Sequence, residues 1–508
     1  MSEDILPSAS SAPQPLVARN PLAWLALFGP GAIIASLTIG TGELIFSTRG
    51  GALFGYRILF LFLIVSVLKW VLVFTAARHM VLSGVHPYRR MMDLPGPRGW
   101  LTLVFFLLAA VCMPIWVSFH CGVTGNFLSW ITGTQETLHG GVDYLWGTAV
   151  LTVVLLLVST KGYAAMEKFQ LFVVVAMLGC AIATLILYNP NWIAIVTGAL
   201  IPQPLHYPQW LSEKYPDIAK TSVWVETSRY VGVIGGASYD YLAYTSFLRE
   251  KNWGNAAAGP LNRAQLEAIV ADRQAPARTW VRAPLIDLTL SFLLVVGFSA
   301  VFVASGAIVL GPQERIPDEA HLLDMQAEFV TSIHVALLPL YVLAILLTML
   351  GTAYGTVEVA CAVSKEIGLA LAPDVERDNT RRIRIATIAW CASIALAILV
   401  LSFVQRLAGA STENPRLLLA ILTPANLFSG VLGCGILCAL NIWFDCRFFP
   451  RPLWMPWPLI LLNSIAFVVF VTIGLKGYYD HESRQLAVGG LAAVGLMSYA
   501  IARRWRFC

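Results

Sequence analysis

This sequence has little charge. Asp, Glu, Lys and Arg make up 12% of its 508 residues, against roughly a quarter in a water-soluble domain. Hydrophobic residues reach 57%, a balance that excludes an ordinary soluble globule. The net charge is only +5, and the basic residues fall in short hydrophilic gaps rather than in one block. A nucleic-acid partner is therefore not expected. The nine cysteines include no CxxC pair, and Cys112, Cys121, Cys180, Cys361, Cys391, Cys434 and Cys438 lie in apolar stretches, where a thiol behaves as a small hydrophobe. Neither disulfides nor a cysteine metal site is expected. HExxH, GxSxG and P-loop motifs are all missing, which removes the common metallohydrolase, serine-hydrolase and ATP-driven classes. The chain is not expected to be an enzyme or to hold a resident cofactor.

What the sequence has in quantity is long apolar runs. A helix needs about 20 apolar residues to cross the hydrocarbon core, and such runs occupy 24–54, 58–82, 101–131, 145–159, 169–188, 223–248, 285–310, 329–371, 383–404, 417–442, 457–475 and 486–501. They predict about twelve membrane-spanning helices, since lipid offers backbone polar groups no other partner. Residues 1–20, rich in Ser, Pro and Ala, read as a short disordered cytoplasmic tail, with no charged region leading into a signal-like apolar stretch. Alternate gaps differ in basic content. One set carries Arg78, Arg89, Arg90, Arg98, Lys161, Lys168, Arg249, Lys251, Arg263, Arg273, Arg278, Arg282, Arg377, Arg381, Arg382, Arg384, Arg447 and Arg451, and the other is sparser. The positive-inside rule then places both termini in the cytoplasm of a cell (inner) membrane protein, in agreement with Arg503, Arg504 and Arg506.

A transport site is best marked by hydrophobic segments interrupted at corresponding places in two halves of a chain. The first run contains Thr38-Ile39-Gly40-Thr41-Gly42-Glu43 and the sixth Gly232-Val233-Ile234-Gly235-Gly236-Ala237-Ser238-Tyr239-Asp240, each with glycines followed by a carboxylate. Runs one and six correspond if two five-helix repeats are related by an in-plane pseudo-twofold axis. The expected fold class is thus an all-α integral membrane protein with a LeuT-like fold: residues 21–205 and 206–442 form inverted repeats, and 443–508 add two peripheral helices. Glycines unwind helices and expose carbonyl oxygens, and the acids add charge in a low-dielectric setting. Such glycines also serve close helix packing, but a carboxylate in each apolar middle favours function. The expected cation ligands are Glu43, supported by the carbonyls of Gly40 and Thr41, with Gly236, Ala237, Ser238 or Asp240 on the sixth run.

At these residues a resemblance emerges. The run from Gly29 to Tyr56, GPGAIIASLTIGTGELIFSTRGGALFGY, resembles the first helix of the Nramp divalent-metal transporters, with its opening GPG and closing GG-x-x-x-GY. Ala76-Ala77-Arg78 followed by Leu82-Ser83-Gly84, the stretch Lys161 to Pro202 with Glu167 and Gly198-Ala199-Leu200-Ile201-Pro202, and Arg282 to Asp287 extend the match as scattered positions over most of Gly29 to Leu440. The resemblance implies metal transport with protons as the coupling ion. The departures lie at the metal motifs. The family's Asp-Pro-Gly-Asn is replaced by Gly40-Thr41-Gly42-Glu43, and its Met-Pro-His by Ser238-Tyr239-Asp240. Loss of the thioether shifts the expectation toward ions that accept oxygen ligands, such as Mg²⁺, Ca²⁺ or Mn²⁺.

Other polar residues in apolar runs are weaker signals. Lys69 either pairs with Glu43 or Asp240 in place of a coupling cation, or sits neutral or snorkelling. Glu358 is a candidate for the coupling ion, with an interhelical hydrogen bond as the alternative, and His120 and Asp287 are candidates for a proton path. Asn426, following Thr423-Pro424, is a polar residue at an expected kink and a candidate for the site. His334 reads as a satisfied core histidine. The expected function is a secondary transporter of a divalent metal cation by alternating access, with protons as the candidate coupling ion; the alternative is an organic cation or amino-acid-like solute on the same fold. The chain is expected to act as a monomer in contact with lipid.

Overall fold

A computed structural model describes residues 12–17, 20–160, 163–316, 327, 331, 334–372, 377–408, 424–481 and 484–505. Helices account for almost all regular structure, and the described residues contain no strand. Nine helices among them are long and apolar enough to cross a membrane. The three remaining expected spans are the first and sixth, which are broken, and the fifth, Tyr163–Tyr188, whose side chains are described only in part. The chain is an integral, multi-pass membrane protein.

Numbered along the chain, span 1 comprises Pro30–Thr38, the turn Ile39–Glu43 and Leu44–Phe54, and span 2 is Leu59–Ser83. Spans 3, 4 and 5 are Trp100–Ile131, Val142–Thr160 and Tyr163–Tyr188. Span 6 is split into Val223–Val233 and Ser238–Glu250, and span 7 is Arg282–Ser305 extended by Gly306–Leu310. Spans 8 and 9 are Leu338–Leu371 and Arg377–Leu407. Span 10 joins Leu427–Leu432 to Gly433–Phe448, and spans 11 and 12 are Trp457–Tyr479 and Arg484–Trp505.

Local chemistry explains where these helices start and stop. Pro30 occupies the first turn of span 1, where its missing N–H costs no hydrogen bond. Ser222 caps span 6, accepting a bond from the N–H of Val225 at 3.3 Å. Span 2 ends at Gly84 with φ +70°, a left-handed conformation that a side chain resists; a Cβ there would also collide with the Gly259 carbonyl.

Spans 3, 4, 8 and 9 contact one another in every pairing. Spans 1, 2, 6 and 7 form a second group, in which spans 2 and 7 pack together and both halves of span 6 touch spans 1 and 2. Small residues permit the closest approaches: a Cβ on Gly51 would meet the Val303 carbonyl of span 7, and one on Gly306 would meet the Thr48 carbonyl of span 1. Ion pairs tie helices together away from lipid. Arg49 of span 1 meets Glu226 of span 6 at 2.6 Å. Arg78 of span 2 meets Asp445 of span 10 at 2.6 Å.

His334 corrects one sequence expectation. It is exposed rather than part of the core, and its Nδ1 accepts the N–H of Ala336 at 3.1 Å, just ahead of span 8. The apolar run that suggested a helix from residue 329 obscured this boundary.

Candidate functional site

Both glycine-containing segments depart from helical geometry where the sequence places them. In span 1 the break is a single backbone rotation, ψ −127° at Gly40, with Gly40 packed so closely on Thr352 of span 8 that a Cβ would overlap the threonine side chain. Residue 41 belongs to the same turn, but the Thr41 side chain lies outside the described residues. In span 6 the interruption is longer, with Gly235 at φ +81° and Gly236 at φ +96°. Those left-handed values favour glycine, which has no Cβ to clash with the neighbouring carbonyl.

Charged side chains from neighbouring spans satisfy the freed peptide groups. The N–H of Gly235 donates to Glu43 at 3.1 Å. Glu43 also accepts from Ser47 at 3.0 Å and from the Ser299 hydroxyl of span 7, so both its oxygens are engaged in a fully buried setting. The Lys69 ammonium donates to the carbonyls of Ile234 and Gly236, each at 2.7 Å, and to that of Gly232 at 3.4 Å. Lys69 is wholly buried; it points into the break rather than snorkelling, and its observed contacts there are carbonyls. The fourth carbonyl, of Gly235, accepts from Tyr241 at 2.6 Å. Asp240 starts the second half of span 6 by accepting the Ala237 N–H at 2.7 Å, which complements the positive end of that helix.

Beside the break lies a small cleft of about 70 Å³ between spans 1, 3, 6, 8 and 10. Of the residues singled out in the sequence, Asp240, Gly236, Ala237, His120 and Asn426 line it. Glu43, Lys69 and Gly40 do not, and Ser238 lies next to it with its hydroxyl buried and without a hydrogen-bond partner. Asn426 approaches Gly232 so closely that a Cβ on the glycine would be 3.1 Å from the amide nitrogen. Met113, Trp116 and Tyr239 supply apolar wall that sequence reasoning missed. Trp116 stacks on His120 with ring centroids 5.6 Å apart. The spacing of Met113, Trp116 and His120 is that of one helical face, but span 3 is apolar on all sides and nothing in its pattern marks which face looks inward.

The remaining acids lie elsewhere. Glu358 forms a two-pronged pair with Arg384 of span 9, both contacts at 2.7 Å, and Arg384 also donates to the Val158 carbonyl of span 4 at 3.0 Å. Asp287 accepts the N–H groups of Gly29 and Gly31 at 2.9 and 2.7 Å and the Tyr244 hydroxyl at 2.9 Å, so it anchors the start of span 1 to spans 6 and 7. Gln170 of span 5, also missed, donates to the Gly351 carbonyl at 2.8 Å and accepts from Ser36; a lone amide midway along an apolar run was its available signal. Among the described residues no group of His, Cys, Asp and Glu is arranged as a metal-holding cluster.

The structure aligns with a crystal structure of the Eremococcus coleocola manganese transporter at a TM-score of 0.67, covering 100% of this chain and 98% of that one at 14% identity. It also aligns with Mhp1, a nucleobase-cation-symport-1 family transporter, at a TM-score of 0.50 and 15% identity over 94% of this chain and 92% of that chain. At these identities the alignments establish the fold, which is the expected LeuT-like one. Among curated proteins, the divalent metal cation transporter MntH of Xylella fastidiosa is 27% identical over 190 residues, 35% of this chain and 36% of its own length. MntH of Listeria monocytogenes is 27% identical over 182 residues, 35% of this chain and 38% of that protein. The chain thus matches little more than a third of the length of these curated relatives. The model of the Natural resistance-associated macrophage protein-like family, by contrast, matches residues 31–408, most of the membrane domain, and the chain belongs to this Nramp family.

Proposed function

We propose that this chain is a secondary transporter that carries a divalent metal cation, such as Mn²⁺ or Mg²⁺, by alternating access around the cleft between spans 1, 3, 6, 8 and 10. The observation that carries the reading is the coincidence of helix breaks and buried carboxylates. Spans 1 and 6 are both interrupted, Glu43 and Asp240 stand at the interruptions, and Asp240 faces the cleft. A divalent ion leaving water needs charge compensation and several oxygen ligands. Asp240, Asn426 and the hydroxyls of Thr38, Thr356 and Ser429 offer these along one cleft. Family membership and the names of the MntH relatives support the metal cargo, and the family resemblance supports a proton gradient as the driving force.

We further place the protein in the cell (inner) membrane as a monomer, with both termini in the cytoplasm. Twelve spans return the chain to the side on which it began. The N-terminal helix Gln14–Val17 also packs against Pro276–Trp280 in the loop that carries Arg273, Arg278 and Arg282, on the side rich in basic residues.

Uptake of Mn²⁺ and Mg²⁺ into proteoliposomes tests the reading. Wild-type protein accumulates metal faster when an inward proton gradient is imposed, and Asp240→Asn and Glu43→Gln lower uptake while leaving the folded protein intact. Absence of metal uptake by the wild type refutes the cargo, and uptake indifferent to both pH gradient and voltage refutes the coupling. One observation favours a second reading, transport of a small organic solute: Lys69 occupies the carbonyls of span 6, and Met113, Trp116 and Tyr239 wall the cleft. Stabilisation of the purified protein by amines or amino acids but not by metals would select it.

A further inference from the structure

Lys69 presents a constellation that the proposed transport does not account for. Three backbone carbonyls of span 6 converge on its ammonium, two of them at 2.7 Å, the distance of a strong charge-assisted bond. They converge because Gly235 and Gly236 adopt left-handed conformations. The glycine segment also lies against the lysine stem, so that a Cβ on Gly235 would stand 3.3 Å from Lys69 Cδ. Carbonyls left over by a broken membrane helix are the usual ligands of a free coupling cation, and in lipid such groups cannot remain without partners. Here the partner is covalently attached to span 2.

We infer that Lys69 is a tethered monovalent cation: it fills a carbonyl cradle that would otherwise take a free one, and it holds span 6 in its broken form without any bound inorganic ion. The inference rests on the geometry of the break and holds for either cargo. Two consequences follow. The wild-type protein has no vacancy for a monovalent cation at this place, so the identity of the monovalent salt does not affect its stability. Truncating the side chain empties a channel whose far end is lined by oxygens spaced for an ammonium nitrogen, so Lys69→Ala acquires a site for a primary alkylammonium ion. Propylammonium has the length of the removed segment, whereas choline and tetramethylammonium carry the charge without N–H donors.

The experiment measures apparent melting temperature in detergent at constant ionic strength. For wild type, sodium, potassium, ammonium, propylammonium and choline chlorides give the same value. Lys69→Ala melts lower in choline or tetramethylammonium, and propylammonium restores most of the loss in a saturable manner. Equal responses of Lys69→Ala to propylammonium and choline overturn the inference. If that variant does not fold, the wild-type series decides alone: specific stabilisation by sodium, potassium or ammonium would mean that an open cation site remains beside Lys69, and no stabilisation supports the tethered cation. None of these readouts depends on cargo, so failure of metal uptake in proteoliposomes leaves the outcome intact.

Discussion

Asp287 makes the most quantitative prediction. Its carboxylate is fully buried and accepts from three donors on two segments: the N–H groups of Gly29 and Gly31 at the start of span 1, and the Tyr244 hydroxyl on span 6. Asp287→Ala takes this acceptor from all three at once. A buried donor without a partner costs about 1–3 kcal/mol, so the two peptide N–H groups together cost roughly 2–6 kcal/mol. That is a large fraction of the net stability of a typical domain, about 5–15 kcal/mol. Asp287→Asn keeps the volume and one carbonyl oxygen but loses the charge, at about 1.5–3 kcal/mol. Tyr244→Phe removes a single donor and costs about 1–2 kcal/mol. In the Asp287→Ala background, however, Tyr244→Phe removes a hydroxyl that has already lost this acceptor. The double variant is therefore more stable than the sum of the singles by roughly 0.5–3 kcal/mol. Unfolding in mixed micelles with increasing SDS, followed by tryptophan fluorescence, gives all four values. Wild-type resistance in Asp287→Ala, or strict additivity of the two changes, would refute the anchoring role.

Three further predictions follow from the packing and the topology. Gly51→Val and Gly306→Val each press a side chain into a backbone carbonyl across the contact between spans 1 and 7, and each lowers the yield of folded protein in size-exclusion chromatography more than Gly297→Val, where a Cβ meets nothing within 4 Å. Arg384→Ala leaves Glu358 without its two-pronged partner and costs about 1–3 kcal/mol in the same SDS assay, whereas Arg384→Lys recovers part of the loss because it restores charge but not the planar fork. Cys446 is the one exposed cysteine among those described. With Cys508 replaced by serine, an impermeant maleimide is expected to label Cys446 only from the cytoplasmic face, and labelling from outside the cell would invert the orientation.

The sequence disclosed the spans and their breaks because both are written in local composition. Apolar runs of membrane-crossing length predict helices, and the glycine-acid pairs of spans 1 and 6 fall where the backbone departs from helix. It could not disclose which way charged side chains face. Glu43 meets Gly235 across 192 positions of chain, and Lys69 meets Ile234 across 165; no window of sequence contains either pair. Asp287 and Glu358 are recognisable as buried acids, but their partners, two peptide N–H groups and the Tyr244 hydroxyl for Asp287 and Arg384 for Glu358, emerge only once the helices pack. Met113 and Trp116 stayed hidden for a different reason. A helix surrounded by apolar neighbours and lipid has no polar face to contrast with an inward one, so periodicity there carries no direction.

Span 10 holds one more feature with a consequence for how this chain tolerates change. Residues Leu427–Leu432 form a turn wider than the α-helix, bounded by Asn426 and Gly433, so the helix accommodates one residue more than a regular repeat would. Losing a single residue there would restore the regular α-helical repeat while leaving the two flanks close to their present rotation, because a wide turn absorbs its extra residue within itself. Asn426 on one side, and Asn441 and Asp445 with their partners on span 2 on the other, would keep their directions. A single-residue deletion within 427–432 should therefore be tolerated better than one in the regular helix Gly433–Phe448, where every position beyond the deletion would turn by about 100°.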